Sequence, residues 1–109
     1  MNNVILVGRL VKDLEIRETE NNIKVANITI AVTRNYKNAN GEYETDFIPC
    51  VLWNSIAENT AEYLKKGDMV GIKGRLQSNN ILNEDGTIKD VRYEVVAEKV
   101  TFLSNKKED

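Results

Sequence analysis

The sequence predicts an all-β protein, built as a small barrel with one short helix. Apolar and polar residues alternate with a period of two along most of the chain, which is typical of strands. Polar stretches that contain glycine, such as Asp85-Gly86, separate these segments and predict tight turns. A single segment, residues 55–67, changes to the spacing of a helix. With 109 residues the chain forms one domain and can bury a core without disulfides.

Five segments alternate as strands do. In the second of them Ile28, Ile30 and Val32 share one side, opposite polar neighbours. In the fourth, Gly71 and Gly74 lie inside the strand, which predicts a bend or a close backbone approach at a barrel corner. The predicted strands are residues 3–10, 23–36, 44–53, 69–76 and 90–102.

The helix is predicted between the third and fourth strands. Ser55 and Glu58 have the spacing of a capping box, with Ser55 at the N-cap. An apolar stripe at spacings of three and four runs from Ile56 to Leu64. Gly67 suits the left-handed position just past a helix end. These features predict about three turns of helix.

Three strands, one helix and two strands is the element order of an OB-fold. This fold is a five-stranded Greek-key barrel whose face binds oligonucleotides or oligosaccharides. An SH3-like barrel and a five-stranded sandwich are the structural alternatives, although neither usually places a capped helix at that point. The domain is predicted to cover residues 1–104, and residues 105–109 are predicted to form a short charged C-terminal end.

Composition argues against most catalytic chemistry. The chain has no histidine and one cysteine, Cys50, so it lacks the commonest general base and cannot form an intrachain disulfide or a thiolate metal cluster. No P-loop, dinucleotide-binding glycine motif or nucleophile elbow is present. We therefore predict a protein that is not an enzyme and has no metal or cofactor.

Location and charge set further limits. The longest apolar runs, such as residues 4–7, are too short for a membrane span. The N-terminus lacks the pattern of a signal peptide, and a lone free cysteine fits a reducing interior, so we predict a cytoplasmic protein. Fifteen basic and 17 acidic residues give a net charge of −2. This argues against binding nucleic acid by bulk positive charge alone, but it is compatible with a local basic groove.

The third strand is apolar on both sides. One side carries Phe47 and Trp53, and the other carries Cys50 and Leu52. From the residues alone we favour a strand buried on both sides or an oligomer contact, because large aromatic residues are mostly packing residues. The alternative is that one side packs the core while Phe47 and Trp53 are exposed and stack on bases. Pro49 weakens the ladder and predicts an edge or a bulge near the start of this strand.

A second group of residues surrounds the loop after the second strand. Tyr36 and Tyr43 flank this loop, with Lys37 inside it and Arg34 just before it. An aromatic ring beside a cation suits a nucleic-acid groove, and an ordinary solvated hairpin tip explains the pattern equally well. Other cations contribute only where the fold places them around the same groove. These are Arg9, Lys73 and Arg75.

Taken together, the motifs over residues 2–104 resemble the bacterial single-stranded-DNA-binding protein family. No single motif is specific, but their order and spacing match over nearly the whole chain. The matching residues are Asn3 to Leu10, Asp13, Arg17, Val25 to Val32, Asp46-Phe47-Ile48, Trp53, Ala57-Glu58, Tyr63-Leu64, Lys66-Gly67 and Gly74-Arg75-Leu76.

The resemblance implies an OB-fold that forms a homotetramer and binds single-stranded DNA with little sequence preference, in replication, recombination and repair. The stacking aromatics of the family fall on Tyr36, Phe47 and Trp53. A fourth falls near Ile81, which offers apolar contact but no ring, so weaker or differently routed DNA is expected around residues 77–82. The predicted DNA contacts are Arg9, Arg34, Tyr36, Lys37, Phe47, Trp53, Lys73 and Arg75.

The C-terminus departs from the family pattern. Members usually carry a flexible tail with an acidic tip that contains Pro-Phe and recruits other replication and repair proteins, whereas this sequence stops at Asp109. We expect a short paralogue, a phage version or a chain cut to its binding domain, and tail-mediated partners are doubtful. The rival interpretation is a protein-interaction OB module, such as a primosome assembly factor that binds nucleic acid weakly. RNA is a third option, because stacking does not read the 2′-OH.

Overall fold

The computed structural model describes residues 1–103. Within them six strands form a single sheet that closes on itself, and one helix connects two of these strands. The strand order is β1-β5-β6-β4-β3-β2, and an additional pairing of β1 with β3 closes the five long strands into a barrel. This confirms the predicted OB-fold. The elements are β1 (Val4–Leu10), β2 (Arg17–Glu18), β3 (Lys24–Lys37), β4 (Tyr43–Trp53), α1 (Asn54–Tyr63), β5 (Met69–Leu82) and β6 (Ile88–Phe102).

The strands differ from the prediction in number and length. The two-residue strand β2 pairs with the start of β3, and two residues are too few to show alternation. The strands β5 and β6 pair as far as Leu82 and Ile88, so the hairpin extends well beyond the barrel as an arm. The arm was not predicted, because polar residues occur on both of its sides and the sequence there lacks the alternation of apolar and polar residues. The predicted turn at its tip is confirmed, because Gly86 has φ 89°.

The helix lies where it was predicted, but its ends differ. It begins at Asn54, and the N-cap position belongs to Trp53, which makes no side-chain cap. Ser55 is therefore inside the helix, and the predicted capping box is wrong. Asn54 has φ 56°, a left-handed conformation that asparagine tolerates, so the chain turns one residue early. Glu58 instead pairs with Lys24 of β3.

The helix has about the predicted length but ends earlier along the chain than predicted. It ends at Tyr63 with Leu64 as its C-cap, and Gly67 lies beyond it with φ 90°. The predicted apolar stripe is correct, since Ala57, Thr60 and Leu64 are buried. No helix within residues 1–103 combines the length and apolarity needed to cross a membrane.

The barrel interior is filled by aliphatic side chains from every long strand, and α1 covers it through Ala57. At one corner the β5–β6 register shifts between Lys73 and Gly74. A Cβ on Gly74 would lie 2.1 Å from the carbonyl oxygen of Val96, so the close approach predicted there is confirmed. Gly71 makes no such approach, because its nearest neighbour would be 3.5 Å away.

The first half of β4 has only one neighbouring strand. Pro49 pairs with Thr29 of β3, whereas the parallel pairing with β6 involves only Cys50 and Val51. This confirms the edge predicted near Pro49. The predicted C-terminal end, residues 105–109, lies outside the described residues.

Candidate nucleic-acid interface

The outer side of β4 presents two aromatic side chains to solvent. Phe47 is 63% exposed and Trp53 is 40% exposed, whereas Cys50 and Leu52 on the inner side are buried. The interpretation that we favoured from the residues alone, a strand buried on both sides, is therefore wrong. The side chain of Val51, between the two aromatics, is buried in a small cluster with other valines. This cluster gives the exposed rings a rigid base.

The surroundings of Phe47 leave its ring uncovered. Ala31 lies directly opposite Phe47 on β3, and Thr29 lies opposite Pro49. These side chains are too small to cover an aromatic neighbour. A large apolar ring on open surface gains nothing from core packing and is the kind of feature that marks a binding site. We call the outer side of β3, β4 and β6 around Phe47, Val51 and Trp53 the stacking face.

The tip of the β3–β4 hairpin carries two further exposed rings, Tyr36 and Tyr43. Lys37 pairs in register with Tyr43, and its Nζ lies 5.7 Å from the centroid of that ring. By alternation along β4, Tyr43 is on the same side as Phe47. The sequence showed Tyr43 beside the loop, but its omission from the predicted contacts overlooked a ring that the structure places with Lys37.

Arg34 is held by acidic neighbours. Its guanidinium donates to Oδ1 of Asp46 at 2.8 Å and to Oε1 of Glu44 at 2.8 Å. The hydrogen bond to Asp46 raises the pKa of Arg34, and the same contact holds the pKa of Asp46 below its usual value. Because Glu44 and Asp46 alternate with Phe47 along β4, this network lies on the opposite side of the hairpin from the stacking face. Arg34 can contact phosphate only by leaving it.

Replacing Asp46 with asparagine is expected to strengthen oligo(dT) binding about threefold at low salt. The substitution removes one of the two carboxylates that neutralise Arg34, so its charge becomes available to phosphate. The log–log salt slope is expected to steepen by about 0.7, the value for one added contact on a single strand. Fluorescence titration at several salt concentrations measures both quantities.

Glu42→Gln is the control for this variant, since it removes one negative charge from the same hairpin tip without touching Arg34. If both variants gain affinity equally, Arg34 is not a phosphate contact.

Two other predicted cations lie at the edges of the stacking face. Arg9 is in register with Ala31, the residue opposite Phe47, and its Nη1 donates to the carbonyl oxygen of Gly67 at 2.9 Å. Arg75 is in register with Val96, which packs in the valine cluster under the stacking face. The strand register therefore places both residues next to the stacking face.

Lys73 lies elsewhere. It pairs with Ile5 of β1, and both residues line a shallow apolar cleft with Val7 and Leu103. This surface is on the β1–β5 side of the barrel, away from the stacking face. The eight predicted contacts thus do not form one cluster: the stacking face collects four of them, the hairpin tip two, and Arg34 and Lys73 lie apart. The four on the stacking face are Arg9, Phe47, Trp53 and Arg75.

The single cysteine is chemically quiet. Burial raises the pKa of the Cys50 thiol to about 12, and the nearby charge of Glu94 adds to this effect. The thiol therefore stays protonated at neutral pH and is a poor nucleophile. Within residues 1–103 no group of three or more potential metal ligands comes together.

The OB barrel with exposed aromatic residues on one side is consistent with the family that the sequence motifs resemble. The model of the single-strand binding protein family matches residues 1–103. The chain belongs to this family. That result confirms the resemblance seen in the motifs.

Curated proteins that are similar to this chain are named as single-stranded DNA-binding proteins. A single-stranded DNA-binding protein of Bacillus cereus is 53% identical over 94% of this chain and 60% of its own length. Single-stranded DNA-binding protein 3 of Listeria innocua is 51% identical over 97% of this chain and 66% of its own length. Single-stranded DNA-binding protein 3 of Streptococcus agalactiae is 49% identical over 97% and 76%. The chain thus spans less than two thirds of the length of the Bacillus and Listeria relatives.

Proposed function

We propose that this protein binds single-stranded DNA with little sequence preference. The observation that carries the proposal is the open stacking face, on which Phe47 is 63% exposed beside small neighbours. Relatives that are about half identical are named single-stranded DNA-binding proteins, which supports the same conclusion.

The proposed mechanism separates base contacts from phosphate contacts. Unpaired bases expose π-faces that a duplex hides, and Tyr36, Phe47 and Trp53 stack on them. Stacking tolerates every base, so the protein recognises the strand state rather than the sequence. With a net charge of −2, stacking carries a larger share of the affinity than in a basic protein. The proposed phosphate contacts are Arg9, Lys37 and Arg75, and Arg34 joins them only when it leaves Asp46 and Glu44. Lys73 lies away from this path and is no longer proposed as a contact.

The wider role is part of the proposal. We infer that the protein acts as a homotetramer in bacterial cytoplasm, protecting single strands during replication, recombination and repair. The exposed apolar outer side of β1 supports a subunit contact, since Ile5 is 73% exposed and Val7 lies beside it. Apolar surface of this kind is typical of subunit interfaces.

Binding is expected to quench the fluorescence of Trp53, which is the single tryptophan of the chain. Titration with oligo(dT) should give strong quenching, because a stacked base contacts the indole directly. The affinity should fall with salt at a log–log slope near −0.7 for each phosphate contacted. A duplex of the same length should compete poorly, because its bases are already stacked.

The rival functions give different results in this assay. A protein-interaction module would show no quenching, and a protein that prefers RNA would bind oligo(U) more tightly than oligo(dT). An affinity that does not change with salt concentration would show that the proposed cations do not contact phosphate.

A further inference from the structure

A cleft of about 440 Å³ lies where the β5–β6 arm leaves the barrel. Pro49 is two residues from Phe47 on the same side of β4, so the cleft continues the stacking face toward the arm. We call it the arm cleft. Its lining consists of Pro49, Asn79, Ile81, Arg92, Tyr93 and Glu94.

Arg92 lines the arm cleft and has no side-chain partner within the described residues. It pairs in register with Asn79, and no hydrogen bond or ion pair joins its side chain to another residue within 1–103. The amide of Asn79 instead donates to Oε2 of Glu94 at 2.8 Å. Arg17 also lacks such a partner, whereas the remaining arginines within residues 1–103 are engaged with protein groups. These are Arg9, Arg34 and Arg75.

The charges around Arg92 favour a base over a phosphate. Asp90 and Glu94 lie two residues away on either side along β6, so alternation places both on the same side as Arg92. Two carboxylates beside one guanidinium leave the local charge negative, which repels phosphate. A neutral base meets no such repulsion, and the planar guanidinium stacks well on aromatic faces.

The walls of the arm cleft suit the same ligand. Pro49 and Ile81 are apolar, and Ile81 is diagonal to Arg92 across the two paired strands. Diagonal neighbours on one side of a sheet are within reach of long side chains. A base in the arm cleft therefore meets apolar side walls and one free planar cation.

We infer that Arg92 stacks on a base of single-stranded DNA in the arm cleft, beside the apolar walls that Pro49 and Ile81 provide. This inference rests on the proposed function and extends the binding path beyond the stacking face. Arg92 acts as a flat surface, not as a phosphate contact.

The test compares two substitutions of Arg92, one that removes the positive charge and one that keeps it without the planar guanidinium. Arg92→Ala is expected to weaken binding of a long oligo(dT) about fivefold or more, the lower range for one stacked base. Arg92→Lys is expected to lose as much, because an ammonium keeps the charge but lacks the plane. The salt slope should stay unchanged in both variants. Lys89→Ala removes one positive charge from the same arm outside the cleft and should bind within twofold of the wild type.

A rescue variant adds a positive test. In the Arg92→Ala background, Ile81→Tyr is expected to restore affinity, because the new ring fills the same cleft. Three results would overturn the inference. They are wild-type binding by Arg92→Ala, retained affinity in Arg92→Lys with a slope reduced by about 0.7 in Arg92→Ala, and no rescue by Ile81→Tyr.

The inference and the proposed function fail in different ways. If Trp53→Ala loses affinity and Arg92→Ala does not, the stacking face binds DNA and the arm cleft does not. If the wild-type protein does not bind oligo(dT), both are wrong.

Discussion

Replacing Trp53 with alanine is expected to weaken oligo(dT) binding at least tenfold while the barrel stays folded. One stacked base is worth about 1–3 kcal/mol, and tenfold corresponds to about 1.4 kcal/mol. The fold should survive because Trp53 is outside the core cluster and 40% exposed. Its backbone pairs with Val25 at the end of β4, and alanine keeps that pairing. Fluorescence anisotropy of a labelled oligonucleotide measures affinity without using the tryptophan signal.

The matched variant is Trp53→Phe, which keeps an aromatic face and should bind within about threefold of the wild type. Circular dichroism of both variants reports the fold. Unchanged affinity in Trp53→Ala, or loss of its β-sheet signal, would assign Trp53 to structure and contradict the proposed stacking.

Replacing Gly74 with alanine is expected to destabilise the barrel by about 3 kcal/mol, at the upper end of typical overpacking. A Cβ there would lie 2.1 Å from the carbonyl oxygen of Val96, a backbone atom of the paired strand. Neither strand can move away easily, because Gly74 also pairs with Val4 of β1 and Val96 packs in the valine cluster. At about 4–8 °C per kcal/mol for a domain near this size, the melting temperature should fall by more than about 10 °C.

Gly71→Ala is the control, since it adds the same methyl group to the same strand. Its nearest neighbours would be Leu103 Cδ1 at 3.5 Å and Thr101 Cβ at 3.7 Å, which are ordinary contacts. Stability should change by less than about 1 kcal/mol. Thermal unfolding is compared at one protein concentration, because the proposed subunit association would make the melting temperature concentration-dependent. Equal melting temperatures for the two variants would contradict the close approach at Gly74.

Some elements of this chain leave a clear period in the sequence and others do not. The barrel strands and the helix each bury an apolar side, which imposes a period on their residues and makes them predictable. The arm is not predictable in this way, because residues 77–82 and their partners bury little and show no such period. The start of the helix also differs from the sequence prediction, because Ser55 and Glu58 match a capping motif but the left-handed conformation of Asn54 starts the helix one residue earlier.

Part of the candidate site could likewise be predicted from the sequence and part of it could not. The alternation of β4 established that Phe47 and Trp53 share one side and Cys50 the other, and the family motifs indicated stacking. Alternation is symmetric, however, and does not say which side is inside. Closure of β1 onto β3 and coverage of the barrel by α1 placed Cys50 inside and the two rings outside.

The local pattern of residue types was sufficient to locate the five strands of the barrel, the helix and the family, because each depends on short-range periodicity or motif order. Other features could be recognised only in the folded structure. These are the exposure of the rings, the neutralisation of Arg34 by Glu44 and Asp46, the separation of Lys73 from Phe47, and the unpaired guanidinium in the arm cleft. Each of these depends on which strands lie side by side and in what register. Residues far apart in sequence come into contact only through such strand pairings. The sequence of one strand therefore does not show which charges surround its residues or which of its side chains are buried.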